Sequence, residues 1–468
     1  MIASEISNDA HGNLAKIATY DKYRLTLYDY TNGRTILVDG IPLDPATASI
    51  TVANIQPFST VEEFDEAVEI AHVNKSHSVF SSMPPFVTKD FPNGTSHRLL
   101  NIVSDSGNTG KRIYVNMNSK SVEPLASPAD EIFMVCDAPN PQSCTPGSPK
   151  SLPGSATLTF GNWTFQVLTP SSSSGTRGSG VELRNVRYNG KLLLYRAHVP
   201  ILNVQYDQTT NIGCGPYYRD WQNQEHYLKC IGTDIGPGFR QCNAPAKTIL
   251  DFPYDECGNF RGVAVYTEGS EFVVKAQMQA GWYRYVSEWR FHLNGTLKPR
   301  FGFGGVHQYP YCVCQVHHHH VYWRFDFDIG TAPNNIVREY NTLITTTSQD
   351  IIYETKRQKA PAFIRHWEIA NTATNDAYAL FPGSNDGTSD AYGVGDLWVV
   401  KYNGAELDDG VDVTSGDAET TKAHIDRFVN GEPVKDADVV VWYGAHFTHD
   451  VSHEFGHIVG PDIRPRRW

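Results

Sequence analysis

The chain has 468 residues, of which 40% are apolar and 19% charged, and its formal net charge is -12. That balance allows a packed core and excludes a globally disordered chain; the length suits one large domain plus a small one. The acidic character excludes a broad basic face, so no nucleic-acid partner is expected. No stretch approaches the roughly 18 uninterrupted apolar residues of a membrane span. Aromatic residues at 12%, with 38 Gly and 27 Pro, favour many strands and turns over long helices.

In chain order, alternating runs come first, such as Tyr23-Arg24-Leu25-Thr26-Leu27-Tyr28, and these predict strands. Ser59 then predicts a helix N-cap, with Glu62 completing a capping box and Val61, Phe64, Val68 and Ala71 forming one apolar stripe. Arg112-Ile113-Tyr114-Val115 predicts a further strand, so residues 1–135 read as a small N-terminal α+β domain. The Pro/Ser/Gly-rich residues 136–155 predict a linker. Residues 156–468 read as one large antiparallel β-sandwich, punctuated by turn dipeptides at Asn189-Gly190, Asn294-Gly295, Asp386-Gly387 and Asn403-Gly404. The fold class is therefore mostly β, with a small α+β domain in front.

The start, Met1 to Asn13, is polar and shows no secretion signal. Eight cysteines and four Asn-x-Ser/Thr sequons, at Asn74, Asn93, Asn162 and Asn294, nevertheless point to a secreted, disulfide-bonded glycoprotein.

Four consecutive histidines, His317 to His320, lie in a strand-like segment. On a strand, His317 and His319 share one face while His318 and His320 share the other. A His-x-His pair on one face suits a borderline transition metal; a polar cluster of imidazoles is the other reading. A second histidine-dense stretch follows Trp442 and contains His446, His449 and the literal pattern His453-Glu454-Phe455-Gly456-His457. On a helix that pattern would bind zinc, but Gly456 and the Gly460-Pro461 pair make a poor helix. A zinc protease is therefore disfavoured.

Taken together, these segments resemble the copper-containing amine oxidases, the quinone-dependent family, in order from about residue 156 to 461. The second histidine of the pair, His319, lies five residues before Arg324, and Trp442 lies seven before His449, as in the family's motifs. The resemblance assigns copper to His317, His319 and His449. Glu271-Phe272-Val273-Val274, Gly281-Trp282-Tyr283-Arg284-Tyr285, Trp289, Phe291 and Asn294-Gly295-Thr296 look like the segment in which the family makes topaquinone. Tyr283 is then the quinone precursor, with Trp282 beside it. Val204-Gln205-Tyr206 leads after fourteen residues to Asp220, the general-base position, and Tyr218 occupies the gate position. The strand Asn185-Val186-Arg187-Tyr188 is similar to another family pattern. A second, calcium-like site is implied at Asp326, Phe327, Asp328, Asp438 and Val439, where an oxygen-only donor set suits a hard cation. A disulfide between Cys230 and Cys257 is implied as well. Cys312 and Cys314, close before the histidines, are expected as a structural disulfide or buried thiols.

The resemblance implies a copper-dependent oxidoreductase acting with dioxygen on a small primary amine, releasing aldehyde, ammonia and hydrogen peroxide, and assembled as a homodimer. Two positions depart from the family motif. Trp282 stands where a small amide is usual, and Arg284 stands where an acid is usual, reversing a charge expected near the site. These keep a second reading open: a mononuclear copper enzyme of the same fold without the quinone, acting on a different substrate such as a phenol or specialised metabolite. A non-catalytic scaffold is a third. The chain ends eleven residues after His457, so the family's closing strands are expected to be missing or abbreviated.

Overall fold

A computed structural model describes residues 23–41, 44–53, 61–74, 86–88, 98–105, 109–123, 132–134, 153–206, 217–220, 222–251, 258–280, 283–305, 316–341, 348–411, 415–449 and 457–468. Ser59, residues 136–152, Cys257, Trp282, Cys312, Cys314, His453 and Glu454 lie outside the described residues.

In the N-terminal part, the helix runs Val61–Asn74. Ala67 and Ala71 are fully buried, and Val68 packs with them against Leu100, Ile113, Val115 and Met117. Small residues at the contact let the helix approach the sheet closely. Two sheets accompany it, one of strands Tyr23–Asp29, Arg34–Ile41 and Asp44–Ala53, the other built around Leu99–Asp105 and Thr109–Asn116.

Beyond residue 153 the described chain is built on two large sheets. The central strands of the first run in the order Leu397–Lys401, Val439–His449, His317–Phe327, Lys191–Tyr206, Glu182–Tyr188, Trp163–Leu168. Those of the second run Glu271–Ala280, Tyr283–His292, Leu297–Gly305, Asp462–Arg467, Ala377–Phe381, Arg365–Asn371. One continuous core joins Phe165, Val204, Val321 and Phe325 of the first sheet to Val274, Tyr285, Trp289 and Phe301 of the second. Alternation along His317–Phe327 supplies this core with Val321, Trp323, Phe325 and Phe327. Tyr322 faces the other way, into a smaller cluster with Ile201, Trp398, Val400 and Trp442.

The Asn189-Gly190 turn closes the hairpin between Glu182–Tyr188 and Lys191–Tyr206. Both residues have positive φ, 53° and 78°, as a two-residue hairpin with right-handed strand twist requires. The closing strands His457–Val459 and Asp462–Arg467 are short and pair with Leu297–Gly305, the second of them also with Ala377–Phe381.

The disulfide differs from expectation. Cys230 is bonded to Cys242, not Cys257. The hairpin of Gly232–Gly236 and Phe239–Cys242 folds the chain back at once and brings the two Cα atoms to 5.3 Å.

Candidate functional site

Three imidazoles converge between the sheets. His317–Phe327 runs antiparallel to Val439–His449 with His317 directly opposite His449, and His319 opposite Phe447. All three histidines are buried, and each offers a nitrogen within 4.8 Å of the other two. His317 Nε2 lies 2.8 Å from His449 Nδ1. His319 Nε2 has no hydrogen-bond partner, although its ring is fully buried against Phe303 and Phe447. A buried imidazole nitrogen left bare among two others is a donor set that fits a transition metal. Burial and the neighbouring His317 hold the His319 imidazole well below its usual pKa, which keeps its lone pair available.

Tyrosines of both sheets close the pocket. Tyr283, on the facing sheet, places its hydroxyl 2.8 Å from His317 Nε2 and its ring alongside that imidazole, with centroids 5.5 Å apart. Tyr206, directly across the ladder from His317, stacks on it at 4.7 Å and meets the Tyr283 hydroxyl with its own. Tyr285 donates to Asp220 and sits 3.4 Å from His319 Nδ1. Tyr218 is buried and turns its ring edge toward Tyr206, 5.8 Å between centroids. Asp220 is therefore linked to the histidine cluster through one hydroxyl. Its environment pushes its carboxyl up to about 7: burial raises it, and the Tyr285 hydrogen bond works against that rise.

Behind Tyr218 and Asp220, Arg219 makes a two-pronged pair with Asp409, at 2.8 and 2.9 Å, and also donates to the Thr421 and Lys422 carbonyls. This anchors the short strand Tyr217–Arg219, which carries Tyr218 and leads directly into Asp220.

The second expected site is also gathered. Asp326, Asp328 and Asp438 bring carboxylate oxygens within 4.8 Å of one another, and Phe327 stands opposite Val439 in the ladder. Arg324 approaches Asp326 only to 3.8 Å.

One expectation changes and one holds. Arg284 does not bring its charge to the histidine pocket: strand alternation turns it away from Tyr283's face, buried, where it donates to the Tyr283 carbonyl at 2.9 Å. His457, the last residue of the zinc-protease pattern, starts a strand, with its ring 5.8 Å from that of His449. Tyr206 and Tyr285 are functional neighbours that motif reading quotes without a role. The signal available was the cross-strand position of Tyr206 and the same-face spacing of Tyr285 with Tyr283.

Residues 257–454 match the family model described as copper amine oxidase, enzyme domain. No curated protein matches the chain by sequence. Among solved structures, a copper-containing benzylamine oxidase from Hansenula polymorpha is similar at TM-score 0.62 and 13% identity, covering 95% of this chain and 88% of that one. A lysyl oxidase from Pichia pastoris is similar at TM-score 0.54 and 12% identity, covering 95% and 81%. An Aspergillus nidulans amine oxidase is similar at TM-score 0.50 and 10% identity, covering 95% and 80%. Identities this low speak to the fold alone, and the fold agrees with the model matched over the histidine strands. The chain is thus similar to the copper amine oxidases in sequence over residues 257–454 and in fold.

Proposed function

We propose that the protein is a copper-dependent oxidase of primary amines, yielding aldehyde, ammonia and hydrogen peroxide. The single observation that carries this is the Tyr283 hydroxyl 2.8 Å from His317 Nε2, within a buried three-imidazole cluster. His317, His319 and His449 would hold copper, and copper with a quinone derived from Tyr283 would supply the electron-accepting chemistry. Asp220 is the base that takes a proton from the carbon beside the amine; a carboxyl near 7 is matched to that task at neutral pH. Tyr285 orients this carboxylate, and Tyr218 flanks the approach to it. Tyr206 fixes the Tyr283 ring through their shared hydroxyl contact. Asp326, Asp328 and Asp438, with the Phe327 and Val439 carbonyls, would take calcium. Secretion and a homodimer complete the reading.

The test is elemental analysis of copper-replete protein, the mass of the peptide carrying Tyr283, and reaction with phenylhydrazine. Bound copper, a modified Tyr283 and a coloured adduct are expected. Copper without adduct or mass change would overturn the quinone and leave the second reading, a mononuclear copper enzyme. The Trp282 substitution beside Tyr283 favours that second reading. Protein that takes up no copper would overturn both.

A further inference from the structure

Behind the histidine pocket, on the outer face of the same sheet, lies a second pair of buried imidazoles. His320 stands opposite His446 in the ladder, and their Nδ1 atoms are 2.8 Å apart. His446 Nε2 lies 3.1 Å from the Gly395 carbonyl and 3.1 Å from Asp396 Oδ1. Asp396 already accepts from the backbone N–H of Ser389 at one oxygen and of Lys359 at the other. Neither neighbour has a hydrogen to give, so His446 Nε2 donates and its Nδ1 accepts. His320 Nδ1 must then be the donor of the pair, which leaves His320 Nε2 as a bare lone pair.

His320 is 1% exposed, and its Nε2 is buried without a hydrogen-bond partner. It faces Asp390 Oδ2 at 3.7 Å. The Asp390 carboxylate is held from behind, because its Oδ1 accepts from the backbone N–H groups of Tyr392 and Gly393. A nitrogen carrying hydrogen would close to hydrogen-bond distance of a carboxylate, whereas 3.7 Å between two acceptors leaves room for a cation that both could bind. Ligands at roughly 2.1 Å from one ion and separated by this distance subtend an angle of about 120°, within reach of a four-coordinate site.

The surroundings agree. Asn203, across the ladder from His320, is fully buried with neither amide atom partnered, and the buried Tyr322 hydroxyl, two residues along the same face, is also unpartnered. The backbone at Gly393 lies so close over the rings that a Cβ there would come within 2.3 Å of His320 Nδ1. Asp390 itself is 43% exposed at its side chain, which gives an ion a way in.

We propose that His320 Nε2 and Asp390 Oδ2 bind a divalent transition-metal cation of the zinc or cobalt class, with Asn203 and Tyr322 holding its remaining ligands. The His446–Asp396 relay fixes the His320 tautomer, as carboxylates do for metal-bound imidazoles elsewhere. This site is separate from the one formed by His317, His319 and His449.

The test is cobalt titration of the full chain carrying His449→Ala, in saturating calcium, followed by ligand-field absorption and elemental analysis. About one cobalt per chain is expected, and Asp390→Asn or His320→Gln in that background should weaken binding at least about tenfold. Absence of cobalt binding, or binding indifferent to Asp390→Asn, would overturn the proposal. Should His449→Ala fail to fold, the same comparison is made on copper-loaded wild-type protein with added zinc. There, a second metal equivalent lost in Asp390→Asn supports the site, and a single equivalent in both overturns it.

Discussion

Tyr285 donates its hydroxyl to Asp220 while lying 3.4 Å from His319 Nδ1, so one phenol joins the carboxylate to the imidazole cluster. The hydrogen bond favours the charged carboxylate and burial opposes it, with burial the larger effect. Tyr285→Phe removes the stabilising bond, so the Asp220 pKa should rise further above about 7. The acid limb of the kcat/KM profile for amine oxidation should move to higher pH, and a profile left in place would refute the coupling.

The same carboxylate links stability to pH. A folded pKa near 7, above the 3.8 of an ordinary aspartate in the unfolded chain, means that the carboxyl favours folding most when protonated. Its contribution is full below the unfolded pKa and is lost as pH rises through 7. Asp220→Asn should therefore be more stable than wild type at pH 8, by on the order of 4 kcal/mol, with the gap closing near pH 4. Urea melts of the two proteins at both pH values measure this.

Removing one imidazole should open the proposed copper centre. His449→Ala is expected to lose copper on dialysis against a chelator that leaves wild type near one copper per chain. Equal retention in both proteins would show that His449 is not a ligand.

Arg219 and Asp409 are both buried, and their paired contacts lie behind Tyr218 and Asp220. Asp409→Ala leaves a buried guanidinium without its carboxylate and should cost about 3–5 kcal/mol in urea unfolding. A loss within 0.5 kcal/mol or so would mean that the Thr421 and Lys422 carbonyls suffice to hold the charge.

Gly393→Ala forces a methyl group against His320 and His446, at 2.3 and 2.8 Å from their Nδ1 atoms. Both neighbours are buried rings, so the loop must lift or the rings must turn. A destabilisation of about 1–3 kcal/mol is expected from chemical denaturation, and an unchanged midpoint would contradict the close packing.

Much of this architecture is legible in the residues themselves. Alternation alone sets His317 and His319 on one face, and the Asn189-Gly190 pair announces its hairpin. The spacing from Trp442 to His449 identifies the third imidazole only through a family likeness, since nothing local says that two strands remote in sequence pair with His317 facing His449. The hydroxyl contacts of Tyr206 and Tyr285 depend on how closely two sheets approach, which no sequence window encodes. Arg284 shows the opposite hazard: adjacency to Tyr283 suggests a charge in the pocket, whereas the pleat sends it away. The Cys230 partner follows from a short hairpin that the cysteine spacing leaves open among several pairings.

Four identical residues in a row give a strand no preferred alignment with its neighbours. A slip of one position would present His318 and His320 where His317 and His319 now stand. The same slip would drive Tyr322 and Arg324 into the greasy interior and expel Val321, Trp323 and Phe325 from it. The address of the three-histidine pocket is thus written by bulky side chains further along the strand, none of which lines it with a nitrogen.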